Sequence, residues 1–85
     1  MSSFDDIRRW VINYFVDETM TSPEFMGDNT RLDIELGRSD YVDRVLLVVA
    51  IESEYDIVIH DNERDSWETI GDIVKTIFKK ERKLC

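Results

Sequence analysis

Hydrophobic side chains recur at the spacing of an α-helix near the start of the chain. They lie three or four residues apart, as one face of a helix requires, and comprise Phe4, Ile7, Val11, Tyr14 and Phe15. Ser3 precedes them and can accept an amide hydrogen bond at the helix start, while Asp5 and Asp6 complement the positive end of the helix dipole. We expect this helix to end near Thr19, because Pro23 fits poorly inside a helix.

The composition of residues 20–38 predicts one long loop. The segment contains Pro23, Gly27 and Gly37 together with several carboxylates, and loops of this length are uncommon and often functional. Alternating apolar residues within it also suggest a short strand, but the chain offers no second strand to pair with it. We interpret these residues as apolar side chains that hold the loop against a helical core; they are Leu32, Ile34 and Leu36.

Residues 40–55 predict a central helix that is apolar on nearly every side. Its many β-branched residues are also typical of a buried strand, yet the run is longer than most strands. A helix needs one apolar stripe to pack on a core, and that stripe is Leu47, Val48, Ile51 and Tyr55. A second stripe then remains, consisting of Val42, Val45, Leu46 and Val49. Two interpretations stay open: either this stripe is an exposed patch for a partner or a homodimer, or the long first loop folds over it.

Two further helices are predicted in the remainder of the chain. Residues 61–65 fit one short helical turn, and Thr69 followed by Asp72 is typical of a capping box that begins a last helix. The apolar stripe of that helix is Ile70, Ile73, Val74, Ile77 and Phe78. We therefore predict an all-α fold in one domain covering residues 1–85, a four-helix bundle of up-down type with a long first loop and a short third helix. Its core should contain Phe4, Ile7, Val11, Leu47, Ile51, Ile70, Val74 and Ile77.

The formal net charge of −8 decides which partners to expect. Nucleic acid phosphates and anionic membrane surfaces repel an acidic chain, whereas a basic protein attracts it. We expect no nucleic acid and no membrane partner. The end of the chain is locally basic, because residues 75–85 contain Glu81 as their one carboxylate beside the cations Lys75, Lys79, Lys80, Arg82 and Lys83. We interpret these cations as complementing the dipole of the last helix.

The residue patterns that a catalyst needs are missing from the sequence. There is no glycine-rich phosphate loop and no metal-binding spacing of cysteine or histidine, and the carboxylates form no calcium-binding loop. His60 beside Asp61 is a weak catalytic signal. Cys85 is the single cysteine, so we expect no intramolecular disulfide, and neither a leader sequence nor a membrane-spanning run is evident. We therefore expect a cytoplasmic, non-catalytic protein.

Three segments in order along the chain resemble the acyl carrier protein family. Residues 48–57 resemble the apolar run and the Leu-Glu-x-x-Phe-x-Ile pattern that close the family's second helix. Residues 59–63 resemble its Ile-Pro-Asp segment, with His60 in place of the proline, and residues 67–74 resemble the Ile-x-Thr-Val-x-Asp-Val-Val start of its last helix. The similarity covers residues 30–78 and implies an acyl-carrier-protein-like four-helix bundle.

In the resembling family, one serine at the start of the second helix carries a 4′-phosphopantetheine arm. Ungapped placement from Tyr55 puts this serine position on Tyr41, between Asp40 and Val42. One interpretation is a degenerate carrier fold that lacks the arm and serves as an interaction module. The other is an unusual acyl or aminoacyl carrier with the arm on Ser39, a residue that also suits a helix N-cap without any modification.

The resemblance also implies a docking surface on the second helix. In the family this side carries carboxylates that bind basic enzymes, and the position of Leu46 is commonly acidic. The residues expected to meet a basic partner protein are Asp40, Val42, Asp43, Leu46, Val49, Glu52 and Glu54. The rival class is an unrelated acidic helical protein, such as an inhibitor, which would share only the helix pattern.

Overall fold

The computed structural model describes residues 3–19, 22–31 and 41–83, and four α-helices lie within these ranges. Helix α1 is Phe4–Thr19, α2 is Tyr41–Tyr55, α3 is Asp61–Ser66 and α4 is Ile70–Lys83. A short 3₁₀ helix, Pro23–Phe25, lies in the first loop. The described ranges contain no strand, only an isolated β-bridge between Arg31 and Thr69. The predicted all-α fold with a short third helix is confirmed.

The hydrophobic core lies between α1, α2 and α4. Within the described ranges, α1 and α4 form the most extensive helix pair. The side chains with no exposed surface are Ile7, Val11, Ile51, Ile70, Ile73, Val74 and Ile77, and Leu47 and Trp67 are nearly as buried. Burial of each such aliphatic side chain stabilises the fold by about 1.5–3 kcal/mol. Of the predicted core residues only Phe4 is half-buried; its ring packs edge-to-face on Phe78, with 5.4 Å between the ring centroids.

Side-chain caps fix the starts of the first and last helices. The Ser3 hydroxyl accepts the amide hydrogen of Asp6 at 3.1 Å. At the start of α4, the Thr69 hydroxyl accepts the amide hydrogen of Asp72 at 3.3 Å, and the Asp72 carboxylate accepts the amide hydrogen of Thr69 at 3.1 Å. This reciprocal pair is a capping box, as predicted, and it satisfies two backbone donors that a helix start leaves unpaired.

The described part of the first loop is bound to the start of α4. The Thr30 carbonyl accepts the amide hydrogen of Ile70 at 3.0 Å, and the Asp28 carbonyl accepts that of Gly71 at 2.9 Å. Arg8 of α1 holds the same loop from the other side, because its guanidinium donates to both oxygens of the Asp28 carboxylate at 2.7 and 3.1 Å. Asp28 thus links α1 to α4. The predicted loop anchors Leu32, Ile34 and Leu36 lie outside the described residues.

The connection between α2 and α3 runs in an extended form. Ile57 and Ile59 are buried, whereas Val58 between them is exposed, because neighbouring side chains of extended backbone point in opposite directions. Asp56 has a φ of 55°, the left-handed conformation that commonly ends a helix. Its amide donates to the Glu52 carbonyl at 3.0 Å. Among the described residues, no helix has the length and apolar content needed to cross a bilayer.

Candidate functional site

Helix α2 has one buried side and one exposed side. Leu47 and Ile51 face the core, with relative exposures of 2% and 0%, and Val48 and Tyr55 pack half-buried beside them. The opposite side carries Leu46 at 52% and Val49 at 58% exposure. Because residues three apart are neighbours on a helix surface, these two side chains present a continuous apolar strip to solvent.

Val58 adds a third exposed aliphatic side chain, with 63% of its surface accessible. The Glu52 carboxylate accepts the amide hydrogen of Ile59 at 2.8 Å, and Glu52 lies one turn after Val49. This bond ties the α2–α3 connection to the second half of α2. Leu46, Val49 and Val58 are thus three exposed aliphatic side chains on α2 and on the connection bonded to it. Val58 was not among the predicted binding residues, although the alternation of Ile57, Val58 and Ile59 carries a signal for it.

The exposed charged groups at the end of α2 and in the connection that follows are acidic. Glu54, Asp56 and Asp61 are exposed. The Arg64 guanidinium forms ion pairs with two carboxylates. It lies 3.6 Å from the Asp61 carboxylate and 3.2 Å from the Asp65 carboxylate. Burial, with smaller contributions from Glu54, Glu81 and Asp6, raises the pKa of the Tyr55 hydroxyl to about 12. The local potential at this end of α2 is therefore negative, and the Tyr55 hydroxyl stays protonated at neutral pH.

The predicted binding residues occupy different settings. Leu46, Val49 and Glu54 lie exposed on α2, whereas Glu52 is half-buried and its carboxylate serves the Ile59 amide. Tyr41 is the first residue of α2, and Val42 and Asp43 follow in its first turn. Ser39 and Asp40 lie outside the described residues. The structure thus places Leu46 and Val49 together on the exposed side of α2 and assigns the Glu52 carboxylate an intramolecular hydrogen bond.

An ion pair fixes α3 against α4. The Glu63 carboxylate accepts the amide hydrogen of His60 at 2.9 Å and lies 2.8 Å from the Lys80 ammonium. Burial alone would raise the pKa of the Glu63 carboxyl, but the hydrogen bonds from Lys80 and from the His60 amide bring that pKa below its ordinary value. His60, the residue that replaces the proline of the resembling family, is exposed and immediately precedes α3.

Other surfaces of the described residues carry fewer features of a binding site. A shallow open groove beside α1 is lined by Asp5, Arg8, Arg9, Ile12, Asn13 and Pro23, and Arg8 there is engaged by Asp5 and Asp28. Searched over the described ranges, the chain holds no group of three histidine, cysteine or carboxylate residues placed to bind a metal ion. Each buried side-chain nitrogen or oxygen in the same ranges has a hydrogen-bond partner. The α2 surface is therefore the strongest candidate for a functional site.

Comparisons with known proteins identify acyl carrier proteins as relatives of the chain. No family model matches the chain. A curated acyl carrier protein of Sulfurovum sp. (strain NBC37-1) is 34% identical over 77 residues, which cover 91% of this chain and 96% of that protein. The acyl carrier protein of Wolinella succinogenes is 35% identical over 77 residues, or 91% and 95% of the two chains. That of Caulobacter vibrioides is 35% identical over 75 residues, or 88% and 95%.

Proposed function

The chain belongs to the acyl carrier protein family, and from this premise we propose that it is a non-catalytic member that docks to partner proteins through α2 and carries no phosphopantetheine arm. The observation that carries the docking proposal is the pair of exposed aliphatic side chains, Leu46 and Val49, on the solvent side of α2. Membership of the family excludes the rival class of an unrelated acidic helical protein.

The proposal of a missing arm rests on the chemistry of the residue at the family's attachment position. The family attaches the arm to an aliphatic serine hydroxyl at the start of its second helix. Tyr41 is the first residue of α2, and its phenol oxygen extends several ångströms farther from the backbone than a serine oxygen. Attack on a diphosphate depends steeply on the placement of the attacking oxygen. Tyr41 therefore does not fit the arm.

The docking partner in this proposal is a basic protein. The chain carries a net charge of −8, and the carboxylates of Glu54, in the last turn of α2, and of Asp56, directly after it, are exposed. Opposite charges on two proteins accelerate their encounter, and the effect weakens with salt. We place this docking in the cytoplasm, where the thiol of the single cysteine would remain reduced.

Intact-mass measurement tests the absence of the arm. Purified protein is incubated with coenzyme A and a broad-specificity phosphopantetheinyl transferase, alongside the Ser39→Ala and Tyr41→Ser variants. The proposal expects no mass gain for the original chain and a gain of one arm for Tyr41→Ser, because that change restores the family's hydroxyl. A mass gain in the original chain that Ser39→Ala abolishes would instead establish the alternative, an acyl or aminoacyl carrier with 4′-phosphopantetheine on Ser39.

A further inference from the structure

We propose that the solvent side of α4 is a second docking surface and that it receives an acidic segment of a partner protein, whose carboxylates pair with Lys75 and Lys79. This inference concerns a different helix and a partner of opposite charge, so it does not depend on the docking proposed for α2. With both surfaces occupied, the chain would connect a basic protein to an acidic one.

Cationic positions run along α4 on the side opposite the core. Lys75 and Lys79 are exposed and lie four residues apart, which makes them neighbours on the helix surface, with about 6 Å between their Cα atoms along the axis. Positions 82 and 83 continue this row by helical register, because α4 ends at Lys83. We call Lys75, Lys79, Arg82 and Lys83 the cationic row. The side of α4 that faces the core holds Ile70, Ile73, Val74 and Ile77.

The two exposed lysines of the row have no ion-pair partner within the ranges that the structure describes. The chain has 19 aspartate and glutamate residues, so carboxylates are not scarce. Lys80, on another side of α4, is paired with Glu63 at 2.8 Å. Like charges four residues apart destabilise a helix slightly. The stability of the fold therefore does not explain the pair Lys75 and Lys79, and their charges remain available to a partner.

The helix dipole explains only the end of the cationic row. Its favourable interaction with cations is confined to the last turn of a helix, which in α4 comprises residues 80–83. Lys79 directly precedes that turn, and Lys75 lies roughly two turns before the end of the helix. Complementing the dipole, the role expected from the sequence for all of these cations, therefore leaves Lys75 and Lys79 without an assigned function.

Charge complementarity selects an acidic occupant, and the narrowness of the row selects a protein segment. A single segment can lie along the row and avoid the acidic remainder of the surface, whereas an anionic bilayer is wide and would meet both. Membrane attachment by a surface helix also needs an apolar face, and the apolar side of α4 is buried in the core. A second copy of the chain would bring another net charge of −8, which opposes self-association.

The spacing of the two lysines defines the acidic segment. Carboxylates four residues apart on a helix are separated by the same rise of about 6 Å. A helical segment with glutamate or aspartate at every fourth position can therefore pair with Lys75 and Lys79 at once. Each exposed ion pair is weak by itself, but an aligned pair of them fixes the register of the segment and accelerates its association.

The test is a chemical-shift titration of the full chain with three synthetic peptides, a method that measures weak binding. The first peptide has glutamate at every fourth position of an alanine-rich helix. The second has the same composition with its glutamates at one end, and the third has lysine in place of glutamate. The variant Lys75→Gln/Lys79→Gln removes both exposed charges of the row. Its matched control, Arg9→Glu, lowers the net charge by the same amount at an exposed position of α1.

The inference expects the first peptide to shift the backbone amides of α4 at low salt and the other two peptides to do so far less. Lys75→Gln/Lys79→Gln should weaken that binding at least about threefold, the combined effect of two exposed ion pairs. Arg9→Glu should change it by less than about twofold, because no ion pair with the segment is lost. Circular dichroism should show that both variants fold, because the substituted side chains are exposed.

Several outcomes would overturn the inference. If the first peptide leaves α4 unshifted, or if Arg9→Glu weakens its binding as much as the double lysine variant does, the cationic row is not a docking surface. If the peptide with its glutamates at one end binds equally well, the proposed segment is wrong.

Two further measurements identify a different occupant. If vesicles of anionic phospholipid bind the original chain but not the double lysine variant, the row serves a membrane and the inference is wrong. If sedimentation equilibrium reveals a dimer that the same variant dissociates, the occupant is a second copy. None of these measurements reads the α2 surface, so the inference can fail while the docking proposed for α2 stands.

Discussion

The backbone carbonyl oxygen of Asp28 lies 2.9 Å from the amide nitrogen of Gly71, so the first loop contacts the first turn of α4 backbone to backbone. A Cβ atom on residue 71 would lie 2.8 Å from that same oxygen, a distance that forces one of the two segments to move. Glycine lowers helix stability, and here the cost is offset by a contact that no other residue permits. The loop and the helix are joined at this point.

We predict that Gly71→Ala destabilises the protein despite the better helix propensity of alanine. Alanine should stabilise the helix by about 1 kcal/mol relative to glycine. The clash with Asp28 should cost about 1–3 kcal/mol, the range for overpacked sites, and should also disrupt the hydrogen bond from the Gly71 amide to the Asp28 carbonyl. Urea denaturation gives the net change. Gly27→Ala is the matched control, because a Cβ there meets nothing within 4 Å. Equal stability of the two variants would contradict the assigned role of Gly71.

Adjacent leucines on α2 provide a second test, since one faces the core and the other faces solvent. Leu47 is 2% exposed and Leu46 is 52% exposed. Leu47→Ala should lower the free energy of unfolding by about 2–5 kcal/mol, the usual cost of truncating a buried leucine. Leu46→Ala should stay within about 0.5 kcal/mol of the original chain. Thermal unfolding followed by circular dichroism measures both, and a reversed order would mean that α2 is rotated.

The Glu63–Lys80 pair predicts a pH dependence of stability. The folded-state pKa of Glu63 lies below its unfolded-state value of 4.5, so the folded protein binds the proton more weakly than the unfolded chain. The stabilisation is therefore complete above that unfolded-state value and is lost as pH falls through the folded-state pKa. Glu63→Gln should lower the melting temperature at neutral pH and leave it nearly unchanged under strong acid. Glu54→Gln, on the exposed side of α2, is the control and should change neither condition by a comparable amount.

Charge reversal tests the acidic contribution to docking. Changing Asp43 and Glu54 together to lysine should slow association with a basic partner and reduce its dependence on salt, because rim charges act mainly on the association rate. The control is Asp17→Lys/Glu24→Lys, which alters the net charge equally at exposed positions away from α2. Stopped-flow mixing over a range of salt concentrations supplies the rates. If the control pair slows association as much as the α2 pair, net charge alone is responsible and the proposed surface is wrong.

The helices were predictable from sequence because their signals are local. Apolar spacing identified α1 and α4, and Thr69 with Asp72 identified the start of α4 by a pattern only a few residues long. The burial of Leu47 and Ile51 followed from the need for one apolar stripe facing a core. Each of these features depends on neighbours in the same helix.

The remaining features depend on contacts between distant parts of the chain. Gly71 gives no sign in sequence that Asp28 will approach it, and a pattern of charges does not distinguish Glu52, which holds the Ile59 amide, from the exposed Glu54. Val58 is intermediate between these cases. The alternation of Ile57, Val58 and Ile59 can be seen in the sequence. The exposure of Val58 becomes relevant only once the structure shows that the connection is bonded to α2.

The hydrogen bond from the Ile59 amide to the Glu52 carboxylate also bears on protein engineering. A chimaera that moves the α2 surface of this chain onto a relative would ordinarily exchange the solvent-facing residues and treat each carboxylate as interchangeable. Such a graft has to include Glu52 together with Val58. Without the Glu52 carboxylate, the connection that contains Val58 loses its hydrogen bond to α2. Exchange of partner preference between relatives is therefore expected to require residues of the helix and of the following connection as one unit.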